Sequence, residues 1–321
     1  MSLFRSGLLL LGESSALETL VTRTPLSAMS SRFVRGEDLD DLLPAVRKAN
    51  ARGRTVTANY LGEAEKSREN CRAAGDVYLE LMERIGREGL EAGLSLKFTQ
   101  LGQEIGRSFL RENLKRLLEK GREEGVFIRF DMESSEHTEQ TLDAFEELWS
   151  EGWRRIGVVL QAYLHRTEDD VARMNELGAP VRLCKGAYAE PPEIAWQDRE
   201  EVRRAFARSM KRLLVGGSHP AIATHDGRLI RETVRFARDE GIGPERFEFQ
   251  MLYGVRRDLQ DRLLGDGWAV RVYIPFGDAW YPYLMRRLAE RPANLLFLAG
   301  SVVRESPLGV LLPGGDGRTA A

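Results

Sequence analysis

From Arg54 onward the chain has a regular rhythm. Apolar runs of five to eight residues, rich in β-branched and aromatic side chains, alternate with polar stretches in which apolar residues recur every three or four positions. The runs predict strands at Thr55–Leu61, Leu94–Thr99, Phe127–Met132, Ile156–Tyr163, Val181–Lys185, Ala221–His225, Phe247–Leu252 and Trp268–Ile274. The stretches between them predict helices near residues 64–89, 105–123, 138–150, 168–177, 199–214, 227–239 and 256–264, with a last one at 279–290. Upstream, Phe4–Leu20 and Glu37–Ala49 read as helices and no strand is expected. Residues 1–50 are therefore a helical lead-in arm, 51–305 the alternating body, and the Gly- and Pro-rich 306–321 a flexible tail.

Eight strand–helix units imply a parallel sheet covered by helices, and this number closes a (β/α)8 TIM-like barrel. A doubly wound open sheet is the alternative, but no early strand is followed by the glycine fingerprint G-x-G-x-x-G. The final unit is organised differently from the rest. Pro275 and Gly277 are expected to stop its strand, and Asp278 to cap the helix. On that helix Tyr283, Arg286, Arg287 and Glu290 share one face, while Leu284, Met285 and Leu288 share the other. The pattern fits an ordinary solvated face, and equally a clamp for a carboxylate or phosphate, since guanidinium forks match flat anions. The clamp reading makes this last helix a cap over the substrate.

Composition narrows the classes. The 321 residues carry 47 Lys and Arg against 49 Asp and Glu, a net charge of −2. That offers no global attraction to nucleic acid. Two cysteines, Cys71 and Cys184, cannot build a disulfide framework, and a reducing compartment is expected. The apolar run Leu8–Leu11 is too short to span a bilayer. A cytoplasmic protein is expected, with peripheral contact at the inner face of the membrane left open.

In a barrel of this kind the strand ends carry the chemistry. Here they hold Lys97, Asp131, Met132, Glu133, Gln161, Arg182, Lys185, Gly186, Thr224, His225, Asp226, Gln250, Leu252, Arg271 and Tyr273. Cations outnumber carboxylates there, which suits an anionic ligand. Gly186 and Ala187 after Lys185 would let a backbone approach a phosphate. Metal chemistry has little support, because the four histidines show neither H-x-H nor H-E-x-x-H spacing. A Schiff-base aldolase using Lys97 or Lys185, and a binding barrel with a degenerate site, are the competing readings.

The segments LSLKFTQLG, IRFDMES, VVLQAYL, VRLCKGAY, IATHD, FEFQMLYG and YIPFG with WYPYLMRRLAERPAN occur in order between residues 94 and 294. Together they resemble proline dehydrogenase in its short, single-function bacterial form. The resemblance implies a distorted barrel, non-covalent FAD, and oxidation of L-proline to pyrroline-5-carboxylate by hydride transfer to flavin. It implies a quinone as electron acceptor and a separate pyrroline-5-carboxylate dehydrogenase for the next step. It puts Lys97, Arg286 and Arg287 on the substrate carboxylate, with Asp131 beside Lys97. Leu252, Tyr273 and Tyr283 would wall the ring. For FAD it implies Met132, Gln161, Arg182, Lys185, Gly186, Ala187, Thr224, His225 and Glu290, with Arg182 near the reacting nitrogen and acting with Asp131 in catalysis. Ala189 departs from the pattern, since larger relatives carry Trp there.

Overall fold

The computed structural model describes residues 33–280. Eight parallel strands close on themselves in sequence order. They are β1 (Thr55–Tyr60), β2 (Ala92–Leu96), β3 (Ile128–Phe130), β4 (Ile156–Gln161), β5 (Val181–Cys184), β6 (Ala221–Ala223), β7 (Glu248–Leu252) and β8 (Val270–Phe276). Eight helices accompany them among the described residues: α1 (Leu39–Asn50), α2 (Arg68–Glu88), α3 (Arg107–Glu123), α4 (Ser135–Ser150), α5 (Thr167–Glu176), α6 (Arg199–Gly216), α7 (Gly227–Asp239) and α8 (Arg257–Gly265). The expected barrel is present. The helix expected at 279–290 and most of the lead-in arm lie outside the described residues.

Local chemistry explains the helix boundaries. The Ser67 hydroxyl accepts from the Asn70 N–H at the start of α2, and Gly89 ends that helix in the left-handed region at φ +61. Asp198 and Asp226 cap α6 and α7 by accepting backbone N–H bonds. Along α2, Tyr78, Leu81 and Met82 are fully buried against the barrel. Each such side chain contributes about 1.5–3 kcal/mol over an exposed one. Helix α1 packs against both β1 and β8, with Leu42, Leu43 and Val46 in the same core. It thus occupies the flank beside the last strand. Among the described residues no helix is long and apolar enough to cross a membrane.

The strands alternate rather than being apolar throughout. Val56, Leu94, Leu96, Ile128, Phe130, Val158, Leu183, Phe249 and Val272 belong to the hydrophobic core. Their neighbours Ser95, Arg129, Arg182, Glu248, Gln250 and Arg271 are polar and hydrogen-bond to groups on other strands. A period of two separates the faces: apolar toward the helices, polar toward the lumen. At Gly157 an added Cβ would come within 2.7 Å of both the Arg129 Nη1 and the Pro180 carbonyl oxygen. The missing side chain there makes room for an arginine head inside the barrel.

One boundary differs from expectation. Strand β8 runs through Pro275 to Phe276 instead of stopping at Ile274. The Tyr273 carbonyl accepts from Tyr253, so its backbone faces the β7 side, and by alternation Pro275 faces that side too. Strand β7 has already ended there at Leu252, and the Pro275 carbonyl accepts instead from the Arg35 N–H at 2.8 Å. The missing proline N–H therefore costs no ladder bond.

Candidate active site

Arg182, from β5, reaches into the lumen and joins five strands or strand ends. Its Nη1 donates to the Asp131 Oδ1 at 2.7 Å and to the Ser95 Oγ at 3.0 Å, and its Nε donates to the Gln250 Oε1. The Ser95 hydroxyl also donates to Asp131 at 2.7 Å, and the Tyr273 hydroxyl donates to the other carboxylate oxygen at 2.9 Å. The guanidinium carbon lies 5.3 Å from the centre of the Tyr273 ring. Asp131 thus accepts from three side chains on β2, β5 and β8. Such charge-assisted bonds hold a buried carboxylate in one geometry.

A second layer of charge lies within the strands. Glu248 accepts from Arg271 at 2.8 and 3.0 Å and from the Gln250 Nε2 at 2.6 Å. Burial pushes the Glu248 carboxyl up, but the Arg271 charge and hydrogen bonds outweigh it and leave the group below the usual range. Among the described residues, Arg129 has only carbonyl oxygens as hydrogen-bond partners, Pro180 at 2.8 Å and Val158 at 3.3 Å, and it stacks on Phe127. Burial and then the nearby Arg182 charge push Arg129 down to about 9.

Around the rim, Lys97 pairs with Glu63 at 2.6 Å. Asp131, expected beside Lys97, has other hydrogen-bond partners. The two residues follow the register-paired Leu96 and Phe130, yet the Asp131 oxygens are taken by Ser95, Arg182 and Tyr273. Glu63 lies in the loop after β1, next to Ala64, whose φ of +54 is left-handed. Lys185 pairs with Asp226 at 2.7 Å. Burial raises the Asp226 carboxyl, but Lys185, Arg203 and the Arg228 N–H hold it far below its ordinary value. The Leu252 N–H donates to the His225 Nε2 at 2.8 Å, so that nitrogen is unprotonated. Thr224 accepts from the Asp226 N–H through its hydroxyl. Met132 is buried beside Glu133, whose carboxyl is raised by burial despite bonds from Thr99.

Gly186 has a local reason for being glycine. Its φ is +101, and an added Cβ would lie 2.1 Å from the Tyr163 ring. Ala187 follows it in the same loop. The predicted residues Tyr283, Arg286, Arg287 and Glu290 lie outside the described residues. Sequence reasoning placed Gln250 and Asp226 at strand ends and missed Ser95 and Glu63 as members of these clusters. Period-two spacing from Lys97 could have put Ser95 on the lumen face; nothing in the sequence points to Glu63.

Among the described residues, the Arg182 Nη2 and the Gln161 Oε1 are buried without a hydrogen-bond partner. One is a donor and the other an acceptor, and both stand where the lumen meets the strand ends. A bound group with acceptors and an N–H donor would satisfy both.

A closed parallel barrel with charged clusters at its strand ends is the build of a (β/α)8 enzyme. The family model for proline dehydrogenase matches residues 42–300. Proline dehydrogenase 2 of Bacillus subtilis (strain 168) is 34% identical over 91% of this chain and 96% of that protein. The proline dehydrogenase of Deinococcus radiodurans is 36% identical over 94% of this chain and 98% of its own length. Among solved structures, proline utilization A from Bdellovibrio bacteriovorus, inactivated by N-propargylglycine, is similar with a TM-score of 0.80 at 26% identity. That match covers 99% of this chain and 40% of the longer one. The chain belongs to the proline dehydrogenase family. It is an oxidoreductase acting at the first step of proline catabolism.

Proposed function

We propose that the protein binds FAD non-covalently and oxidises L-proline to pyrroline-5-carboxylate, with the electrons passed on to a quinone. The observation that carries this reading is the Arg182 cluster with its unsatisfied Nη2, together with the unsatisfied Gln161 Oε1 on the neighbouring strand. A flavin ring offers both acceptors and an N–H donor, so the donor set fits it. Arg182, Gln161, Met132, Lys185, Gly186, Ala187, Thr224 and His225 would hold the cofactor, with Glu290 from beyond β8. When bound, FAD supplies the two-electron acceptor that takes hydride from the ring carbon beside the proline nitrogen.

The protein's own residues supply position and charge. Lys97, Arg286 and Arg287 bind the carboxylate, which is the best handle on a small saturated amino acid. Lys97 is already paired with Glu63, so an incoming carboxylate competes for the ammonium of a side chain that is 12% exposed. Asp131 holds Arg182 and Tyr273 in place, and Tyr273, Tyr283 and Leu252 wall the ring. The proline amine must be neutral for hydride loss. Bulk water can take that proton, so no protein base is assigned. Pyrroline-5-carboxylate then passes to a separate dehydrogenase, and the quinone links the reaction to the inner face of the membrane.

The purified protein's visible spectrum tests this directly. A flavin spectrum bleached by L-proline, with all flavin released by acid or heat, is the expected result. Flavin that stays on the denatured chain would overturn non-covalent binding, and a colourless protein active as an aldolase would overturn the whole reading. Replacing Arg286 or Arg287 by Met should weaken proline binding about 30- to 1000-fold, the loss of one charge-assisted bond worth ~2–4 kcal/mol. Unchanged saturation in both variants would remove the clamp.

A further inference from the structure

We infer that Glu248, acting through Gln250, is a positioning residue that fixes the orientation of the Arg182 guanidinium. This rests on the reading of Arg182 as a cofactor contact. The two residues form a relay on one strand, two positions apart on the same lumen face.

The chemistry of the three groups leaves one arrangement. A guanidinium only donates, and an ionised carboxylate only accepts. The Gln250 amide lies between the two. Its Nε2 donates to the Glu248 Oε1 at 2.6 Å, and its Oε1 accepts from the Arg182 Nε. An amide can usually turn over at little cost, because its two ends have nearly the same shape. Turned over here, it would set its oxygen against a carboxylate and its NH2 against an N–H. Glu248 therefore selects the orientation that gives Arg182 an acceptor.

Arg271 completes the relay from below. It donates to both Glu248 oxygens and to the Val56 carbonyl at 2.8 Å, so the carboxylate is tethered to the backbone of β1. At the far end Arg182 spends its Nε on Gln250 and its Nη1 on Ser95 and Asp131. Among the described residues only the Nη2 is left without a partner. Gln250 thus fixes which nitrogen stays available. Glu248 is 5% exposed and Gln250 3%, so water cannot take over either role.

The test uses the full-length protein with three changes: Glu248→Gln, Gln250→Met, and the exchange Glu248→Gln with Gln250→Glu. In the exchange the carboxylate moves to position 250 and accepts from Arg182 directly, with no amide to orient. Arg271 meanwhile loses its counter-ion, as it does in Glu248→Gln alone. The first readout is the Arg182 Nε–H signal by NMR in the purified full-length protein, assigned by its loss in Arg182→Lys. The second is the anaerobic rate of flavin reduction at saturating proline. Glu248→Gln should expose the Nε–H to solvent exchange and slow reduction about 10- to 100-fold, with proline saturation changed less than about threefold. The exchange should restore the protected signal and bring the rate within about threefold of the native one.

If Glu248→Gln leaves both readouts unchanged, or if the exchange is as impaired as Glu248→Gln alone, the relay is overturned and Glu248 is merely the counter-ion of Arg271. Should Glu248→Gln fail to fold, Gln250→Met decides, because a protected Nε–H without Gln250 refutes the relay and an exposed one supports it. If proline fails to bleach the native protein, the functional reading falls. The Nε–H signal still judges the relay by itself.

Discussion

Inside the barrel Arg182 and Asp131 meet at 2.7 Å with side chains 6% and 13% exposed. Outside it Arg72 and Glu112 meet at 3.0 Å with side chains 51% and 56% exposed. The residue types and the distance are nearly the same, and the surroundings are opposite. Pairs of the second kind join successive helices around the molecule: Arg116 with Asp76, Arg208 with Glu168, Lys211 with Glu232. Each holds two mobile side chains in water, where attraction is weak and salt screens it. The lumen pair is dry, and Ser95 and Tyr273 take up remaining capacity on the same carboxylate. Breaking it strands a charge that has no water to turn to. Contact geometry alone says little about weight; access to water decides it.

The sharpest way to break this contrast is Arg182→Met. Asp131 would keep two hydroxyl donors and lose its cation, so unfolding in urea should show a loss of about 3–5 kcal/mol. A loss no larger than that of a surface pair would erase the distinction. Next in size is Tyr273→Phe, which removes one donor to the same carboxylate and leaves the ring. About 1.5–3 kcal/mol is expected from the same urea titration, and a smaller change would mean that Arg182 and Ser95 satisfy Asp131 without it.

Two carboxylates sharpen the contrast through pH. Asp226 is held low by its cations, so it adds stability that is complete above the ordinary aspartate range near pH ~4 and is lost as pH falls through its own lower value. Asp226→Asn should therefore be less stable than the native chain at neutral pH, with the gap closing in acid. Glu133 is raised by burial, so its contribution is present below the ordinary glutamate range and is lost as pH rises through its folded value. Glu133→Gln should gain on the native chain as pH rises. Melting curves from pH ~2 to ~8 check both, and parallel pH dependence in the two variants would refute the assignment. The smallest effect belongs to Arg72→Ala, whose melting temperature should stay within about 2 °C of the native value. A larger drop would make the outer belt part of what holds the barrel closed.

The sequence was informative where one residue's neighbours along the chain carry the signal. All eight strands were legible from their apolar runs, and the helices near 105–123 and 227–239 were expected within two residues of Arg107–Glu123 and Gly227–Asp239. Pro275 misled, because whether a missing N–H matters depends on which neighbour it faces. Reading the strands as near-continuously apolar hid the lumen, where Arg129 needs Gly157, one strand over, to make room for its head. The site was legible as positions and not as partnerships. Lys97 and Asp131 stand side by side in register and choose Glu63 and Arg182 instead.

The amino-acid sequence by itself determined the order and number of elements, the closed barrel they imply, the strand ends where charge would gather, and the family. Those follow from periodicity and local motif, which act over a few residues. Only the tertiary structure decided that Arg182 would bind Ser95, Asp131 and Gln250 at once, partners up to 87 residues away. Closing eight strands into a ring sets the register across the lumen, and with it which polar groups meet. In a space without water each must find a partner among the few within reach.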